Sequence, residues 1–311
     1  RRNVSVGRKE SLFLDFEVSE DEIRMVEESH KNSIIRILFK LKEKHLKIFI
    51  SKLLSHSKKN EIYETEKEPS QNLFNTNHLN RCISFYFLLE KIVENLKNIA
   101  APYAAQILLE AMKILKASAQ LKITGQSNET KKRKLNKKTG NEIDCENGEK
   151  TLKVCTSILN LLALFLKFDS DDGRLMKSGE FPGEIFATLS SQFESKLSLS
   201  LKSHSEFMRS VVAPCVAKLA KLLNDSNQLK VLVSGVLMKM RDLNWEVRFG
   251  AVVALEACFK EVSFEMVPLL PECLPYFSEG LEDENQRVQE VTKNLIGYIE
   301  DVLGESVEEY L

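Results

Sequence analysis

The sequence contains few residues that interrupt regular structure, with 12 Gly and 7 Pro among 311 residues. Tight hairpin turns depend on Gly and related turn residues, so this scarcity disfavours a protein built from many short strands. No stretch alternates strictly between apolar and polar residues, as a half-buried strand would. Apolar residues recur instead at steps of three and four, and in residues 21–42 they include Val26, Ile34, Ile37 and Leu41. The sequence therefore predicts an all-α protein.

A long apolar run is also absent. A membrane-spanning helix needs about 20 consecutive apolar residues, whereas the longest stretch here, Ile158–Leu166, is interrupted by Asn160. We therefore expect no membrane contact. The chain begins with Arg1 and Arg2 instead of Met, and it shows no signal-peptide pattern. We interpret it as a piece of a longer protein.

The motifs of catalytic, metal and cofactor sites are missing as well. The six cysteines form no C-x-x-C pair, and the five histidines follow no metal-ligand spacing. The sequence has no nucleophile elbow and no glycine-rich phosphate loop. We therefore expect no catalytic residue, no metal, no cofactor and no small-molecule substrate. We interpret the cysteines as reduced thiols inside apolar helices.

The C-terminal half repeats itself. Arg209, Arg248 and Arg287 lie at a spacing of 39 residues, and each opens an apolar helix that follows a shorter one. The turns before the last two of these helices carry Asp242-Leu243-Asn244 and Glu282-Asp283-Glu284-Asn285, and acids and Asn in such turns suit the capping of the next helix. A helix–turn–helix period of about 40 residues is typical of HEAT repeats. One such pair cannot bury its apolar face alone, so we expect stacked helix pairs, a solenoid, with the three arginines, Asp242 and Asp283 marking the repeat.

Two stretches depart from the helical pattern. Residues 55–79 are polar and predict a solvated loop. Residues 124–150 contain only Leu135 and Ile143 as large aliphatic residues, too few to offset the entropy lost on ordering. We therefore divide the chain into N-terminal helical repeats at 1–123, a basic disordered linker at 124–150 and C-terminal HEAT repeats at 151–311.

The linker carries the densest cluster of positive charge. Six cations lie within eight residues: Lys131, Lys132, Arg133, Lys134, Lys137 and Lys138. Such a cluster is typical of a nuclear-localisation or nucleic-acid-binding segment. The alternative is a linker whose charge only keeps the protein soluble.

A second basic block covers residues 31–59, where nine Lys or Arg residues are opposed by Glu43 alone. If the first helix continues unbroken, four of these cations share one face that would suit phosphate contact: Arg36, Lys40, Lys44 and Lys47. A turn at residues 42–44 would split that face, and a plain solvated surface is the alternative. Residues 276–311 are the acidic counterpart, with ten acids and two bases. The chain is therefore nearly neutral in sum but segregated in charge.

Several segments resemble a known family. Residues 266–277, with Pro268, Pro271 and Pro275, and then residues 279–284, resemble a terminal HEAT repeat. That repeat belongs to the giant HEAT-repeat proteins of the small-subunit processome, the U-three small nucleolar RNA-associated protein ten (HEAT-repeat-containing protein one) family. Residues 85–103 are similar to a signature of the C-terminal region of this family.

The resemblance implies a non-catalytic scaffold in nucleolar pre-rRNA processing and early 40S ribosome biogenesis, linked to rDNA transcription. It implies other processome subunits as protein partners, pre-rRNA as a further candidate partner, and a location in the nucleus and nucleolus. The alternative for a solenoid without site chemistry is a HEAT-repeat adaptor in nuclear transport or phosphatase assembly.

Overall fold

The structure is a computed structural model that describes residues 19–62, 74–123, 142–169, 181–223 and 225–307. The described residues form helices α1 Glu20–Leu38, α2 Glu43–Ile62, α3 Thr76–Leu96, α4 Ala104–Ala119, α5 Cys145–Phe168, α6 Phe181–Phe193, α7 Lys196–Ser200, α8 His204–Phe207, α9 Ala213–Leu222, α10 Ser226–Lys239, α11 Trp245–Glu261, α12 Ser263–Met266, α13 Leu270–Leu281 and α14 Gln286–Leu303. A π-helical turn, Met208–Val212, joins α8 to α9, and 3-10 turns cover Lys97–Tyr103 and Val267–Leu269. Two short parallel strands, β1 Lys122–Ile123 and β2 Glu142–Ile143, pair with each other.

Short polar side chains start several of these helices. Asn75, Asp144, Asp225, Asn244 and Asn285 each precede a helix and accept a hydrogen bond from a backbone N–H in its first turn. These N–H groups have no partner within the helix, so each cap satisfies a donor that would otherwise lack one. The capping residues thus fix where the helices of the repeats begin.

The helices form two layers. Helices α3, α5, α9, α11 and α14 pack side by side in chain order and make the first layer. Helices α4, α6 and α10 pack side by side in chain order and make the second layer. Helix α13 comes next in this layer and is joined to α10 by the ion pair between Lys230 and Glu272. Second-layer helices also pack on first-layer helices, as α10 does on α11 and α13 does on α14. The prediction of an all-α HEAT-repeat solenoid is confirmed.

One apolar core fills the space between the layers. Its members lie on all the main helices, and the side chains of Leu159, Phe165, Leu255 and Leu295 are fully or almost fully buried. Helices α3 and α4, before residues 124–141, pack against α5, which follows them. The helices on both sides of the predicted linker therefore belong to a single array.

Two predicted boundaries are wrong. Residues 55–62 continue α2, and α3 begins at Thr76, so both ends of the predicted loop at 55–79 are helical. Lys and Glu in this stretch are good helix formers. The predicted disordered linker at 124–150 fails for residues 142–150, which form β2 and the first turns of α5. Asp144 caps α5 by accepting from the N–H of Asn147 at 2.8 Å.

Among the described helices, α5 has the length and the apolar character of a membrane span. Half of its most apolar stretch is buried inside the fold, and Ile158, Leu162 and Phe165 belong to the core. The core helix of a two-layer array is apolar on more than one side, because it contacts neighbours in both layers. The apolar character of α5 is therefore explained by its central position.

Candidate interaction surfaces

The turns of the last two repeats have the same hydrogen-bond pattern. Asp242 accepts from the N–H of Asn244 at 2.7 Å, and Asp283 accepts from the N–H of Asn285 at 2.8 Å. Each Asn then accepts at 3.0 Å from a backbone N–H two residues further on. The Asp therefore orders the turn, and the Asn caps the helix that follows.

Arg248 joins these two turns. Its Nε and Nη2 donate to the two carboxylate oxygens of Asp283 at 2.6 and 2.8 Å, while Nη1 donates to the carbonyl oxygens of Asp242 and Leu243. Arg248 is only 9% exposed. Burial alone would raise the pKa of Asp283, but hydrogen bonds from Arg248 and from the N–H of Asn285 bring it below its ordinary value. The pair is a two-point hydrogen-bonded contact between repeats, which is a strong geometry for a guanidinium.

The other two arginines of the 39-residue series make different contacts. The guanidinium of Arg209 lies 5.3 Å from the ring centre of Phe249, and that of Arg287 lies 5.8 Å from the ring centre of Trp245. Both are cation–π contacts with a neighbouring repeat. The three arginines thus share a sequence position and an inter-repeat role, but not a partner type.

Further ion pairs connect neighbouring repeats at the surface. Their atoms are 2.9 Å apart between Lys221 and Glu261, and 2.7 Å apart between Lys116 and Glu184. Exposed pairs of this kind contribute at most about 1 kcal/mol each. We call helices α8–α14, with their turns, the C-terminal stack. The contacts of Arg209, Arg248, Arg287 and Lys221 join neighbouring helices and turns of this stack. The pair of Lys116 and Glu184 lies before the stack, between α4 and α6.

A buried polar contact lies at the start of this stack. The Nδ1 atom of His204 is 2.8 Å from the Oγ atom of Ser198, and the His204 side chain is fully buried. Burial lowers the pKa of His204 to about 4, although an interaction with the backbone of Phe193 opposes the shift. In the part of the chain that the structure describes, no group of three His, Cys, Asp or Glu residues could hold a metal ion.

The predicted basic face is split by a turn. Helix α1 ends at Leu38 and α2 begins at Glu43, so the unbroken helix that a shared face requires is not formed, and the chain turns at residues 39–42, close to the alternative turn at 42–44. Backbone hydrogen bonds from Lys40 to Ile37 and from Leu41 to Leu38 close the turn. Arg36 therefore lies at the end of α1, Lys40 lies in the turn, and Lys44 and Lys47 lie on α2. All four are exposed, and none forms an ion pair with another described residue.

Apolar side chains are exposed among these cations. Ile37 is 59% exposed, Phe39 57% and Ile48 46%. We call this surface the α1–α2 corner, made of Arg36, Ile37, Phe39, Lys40, Lys44, Lys47 and Ile48. The helical periodicity of residues 21–42 placed Ile37 with the core residues, so its exposure could not be found from the pattern. The six cations of residues 131–138 lie outside the described residues.

The comparisons with known proteins cover both the corner and the stack. The model of the BP28CT (NUC211) domain matches residues 1–173, more than half of the chain. The chain is 28% identical over 229 residues to HEAT repeat-containing protein 1 homolog of Drosophila melanogaster, which covers 74% of the chain and 10% of that relative. It is 27% identical over 231 residues to HEAT repeat-containing protein 1 of Homo sapiens, with shares of 74% and 10%.

A fungal relative aligns along the whole chain. The U3 small nucleolar RNA-associated protein 10 of Aspergillus terreus is 23% identical over 326 aligned positions, which cover 100% of this chain and 15% of that protein. The chain therefore spans a small part of the length of the relatives it matches.

Proposed function

The chain belongs to the BP28CT (NUC211) domain family, and from this premise we propose that it is a non-catalytic scaffold segment of the small-subunit processome. In this role it takes part in nucleolar pre-rRNA processing and early 40S ribosome biogenesis, and it resides in the nucleus and nucleolus. One observation carries the proposal: the chain is related both to HEAT repeat-containing protein 1 and to a protein named for its association with U3 small nucleolar RNA.

The architecture supports a scaffold role. The two helix layers enclose an apolar core, and the contacts that connect repeats occupy buried or edge positions, as with Arg248. A stacked array exposes a long, stable surface on which several partners can bind at once. Processome proteins are the partners we propose for this surface.

We further propose that the cation cluster at residues 131–138 contacts pre-rRNA. Cations that bind phosphates release counterions, so binding weakens steeply as salt rises. Replacing all six cations with Gln is expected to abolish that salt dependence and to weaken RNA binding by about 100-fold at low salt. Filter binding of single-stranded RNA between low and moderate salt measures both effects. Equal affinity and equal salt response in the variant would contradict an RNA contact by this cluster.

The test of the scaffold role is purification of the tagged chain from nuclear extract, with detection of bound RNA and protein. We expect U3 small nucleolar RNA and processome proteins to co-purify. Recovery of a nuclear-transport GTPase or of a phosphatase catalytic subunit in their place would favour the adaptor alternative and overturn the proposal.

A further inference from the structure

The α1–α2 corner combines exposed cations with exposed apolar side chains. Lys40, Lys44 and Lys47 have no ion-pair partner among the residues that the structure describes, although residues 31–59 carry nine cations against Glu43. Ile37 follows Arg36 and Ile48 follows Lys47 in the sequence, and both are about half exposed. We propose that this corner binds an acidic amphipathic helix of a partner protein.

A shallow groove on α1 leads up to the corner. Its lining residues all lie on α1: Met25, Glu28, Ser29, Asn32, Ser33 and Arg36. Met25, Ser29, Asn32 and Arg36 follow one another at helical steps of four, three and four residues and therefore share a face. Glu28 is the one acid of this lining, so the acids of a partner belong at the Arg36 end. The twelve residues from Met25 to Arg36 rise about 16 Å along the helix, or roughly three turns. A partner helix of similar length can therefore lie along α1, with Met25 at one end and the cations at the other.

The apolar members favour protein over RNA. A surface that binds only phosphates needs cations and polar donors, and a surface that binds unpaired bases needs flat aromatic or guanidinium groups to stack on. Arg36 and Phe39 are the two members that carry such groups, whereas Ile37, Ile48 and Met25 are exposed aliphatic side chains that neither phosphate contact nor base stacking requires. Aliphatic side chains gain from burial against the apolar face of a helix, which is the usual helix-in-groove mode.

The charges favour an acidic partner. Carboxylates beside the apolar face of the partner would meet Lys40, Lys44 and Lys47, and complementary charge speeds association and selects the partner. The acidic C-terminal segment of this chain is a poorer match, because Glu279 and Asp283 are engaged by Arg241 and Arg248. This inference rests on the proposed scaffold role and names the chemistry of one of its protein partners.

The test uses fluorescence anisotropy with the full chain and two synthetic peptides of about five helical turns. One peptide places Leu on one face and Glu on the other, and the second has the same composition in scrambled order. We expect the amphipathic peptide to bind at least about tenfold more tightly at physiological salt. Two double variants test the corner, one with Lys40→Glu and Lys44→Glu, the other with Ile37→Ser and Phe39→Ser. Each is expected to bind the amphipathic peptide about tenfold more weakly.

Matched control substitutions lie in the C-terminal stack, away from the corner. Lys293→Glu reverses an exposed charge on α14, and Leu243→Ser removes an apolar side chain that is 98% exposed. Both are expected to leave peptide binding unchanged. Thermal unfolding of every variant shows whether it is folded, and we expect equal midpoints because each altered side chain is exposed.

Three results would overturn the proposal. Equal binding of the two peptides, or full binding after Ile37→Ser with Phe39→Ser, would leave only non-specific charge attraction. Tighter binding of a single-stranded RNA, lost in the charge variants alone, would make the corner an RNA site. Concentration-dependent dimers in sedimentation, removed by the same substitutions, would make the occupant a second copy. Nuclear purification decides the scaffold role separately, because that result does not depend on peptide binding.

Discussion

The first and the last helices that the structure describes differ in what they expose. At the C-terminal end, the outward residues of α14 are mostly polar or charged, among them Gln286, Glu290 and Asn294. The helix ends at Gly304 in the left-handed conformation, and the N–H of the buried Val307 donates to Glu300 at 2.8 Å. At the other end, the α1–α2 corner exposes Ile37 and other apolar side chains. The polar outer face of α14 needs no apolar cover, whereas the exposed apolar side chains of the corner favour contact with another surface.

The same contrast applies to charged residues. In the C-terminal stack, Arg209, Arg248 and Arg287 each contact an acid or an aromatic ring of a neighbouring repeat. At the α1–α2 corner, Lys40 and Lys44 have no such partner among the described residues. Charged side chains of the C-terminal stack contact neighbouring repeats, whereas those of the corner are exposed to solvent. The predictions below test this difference, from the largest expected effect to the smallest.

Removing the central ion pair should have the largest effect. Arg248→Ala leaves the Asp283 carboxylate mostly buried without its guanidinium partner, and breaking such a pair costs about 3 kcal/mol or more. The free energy of unfolding from urea titration measures the loss.

The matched change at the corner is Lys44→Ala, which removes an exposed cation. We expect it to alter the free energy of unfolding by less than about 0.5 kcal/mol. Similar costs for Lys44→Ala and Arg248→Ala would contradict the division between a cohesive stack and an outward-facing corner.

The fold was largely predictable, because helical periodicity and turn chemistry act locally. The steps of three and four residues, the Asp residues of the turns and the 39-residue spacing of the arginines all survive in the structure. The boundaries at residues 55–62 and 142–150 were not predictable from composition. Asp144 caps a helix whose first turns are polar, and the burial of Thr151 and Val154 against neighbouring helices is set by tertiary packing.

The candidate site was only partly predictable. The sequence identified the cations at positions 36, 40, 44 and 47, but the turn at residues 39–42 decides how they are arranged. Periodicity also assigned Ile37 to the core, because it cannot distinguish a face covered by a neighbour from one at the end of the array. The contacts of Arg209 and Arg287 with aromatic rings join residues about 40 positions apart. No local pattern reveals such contacts.

Acidification should weaken the C-terminal stack through His204. The folded state holds the pKa of this buried side chain at about 4, against an ordinary value of 6.5. Between these values the unfolded chain binds a proton that the folded chain does not, so the free energy of unfolding falls as pH drops. The expected loss between pH 8 and pH 5 is about 2 kcal/mol.

His204→Gln should remove this part of the pH dependence, as measured by urea unfolding at both pH values. His45→Gln is the matched control, since His45 is exposed on α2, and it should keep the full dependence. An unchanged difference between pH 8 and pH 5 in His204→Gln would show that other groups cause it.

Two glycines of the last repeat differ in the space around them, Gly280 on α13 being closely packed and Gly297 on α14 being open. A Cβ atom at Gly280 would lie 2.7 Å from Oγ1 of the buried Thr292, whereas a Cβ atom at Gly297 would meet nothing within 4 Å. Gly280→Ala should therefore destabilise the protein by about 1–2 kcal/mol. Gly297→Ala should stabilise it by about 0.5–1 kcal/mol, because Ala favours the helix. Thermal unfolding measures both, and destabilisation by Gly297→Ala would mean that α14 is covered at this point.

Within the C-terminal stack, the smallest effect is expected for the exposed pair of Lys221 and Glu261, which joins α9 to α11 at 2.9 Å. The hydrogen bond from Lys221 lowers the pKa of Glu261, so its contribution is present above the ordinary carboxyl pKa and disappears as pH falls. Glu261→Gln should cost about 0.5 kcal/mol at low salt and less at high salt. A double-mutant cycle with Lys221→Met isolates this coupling. A coupling as large as the cost of Arg248→Ala would show that surface charge holds the stack together as strongly as the buried pair.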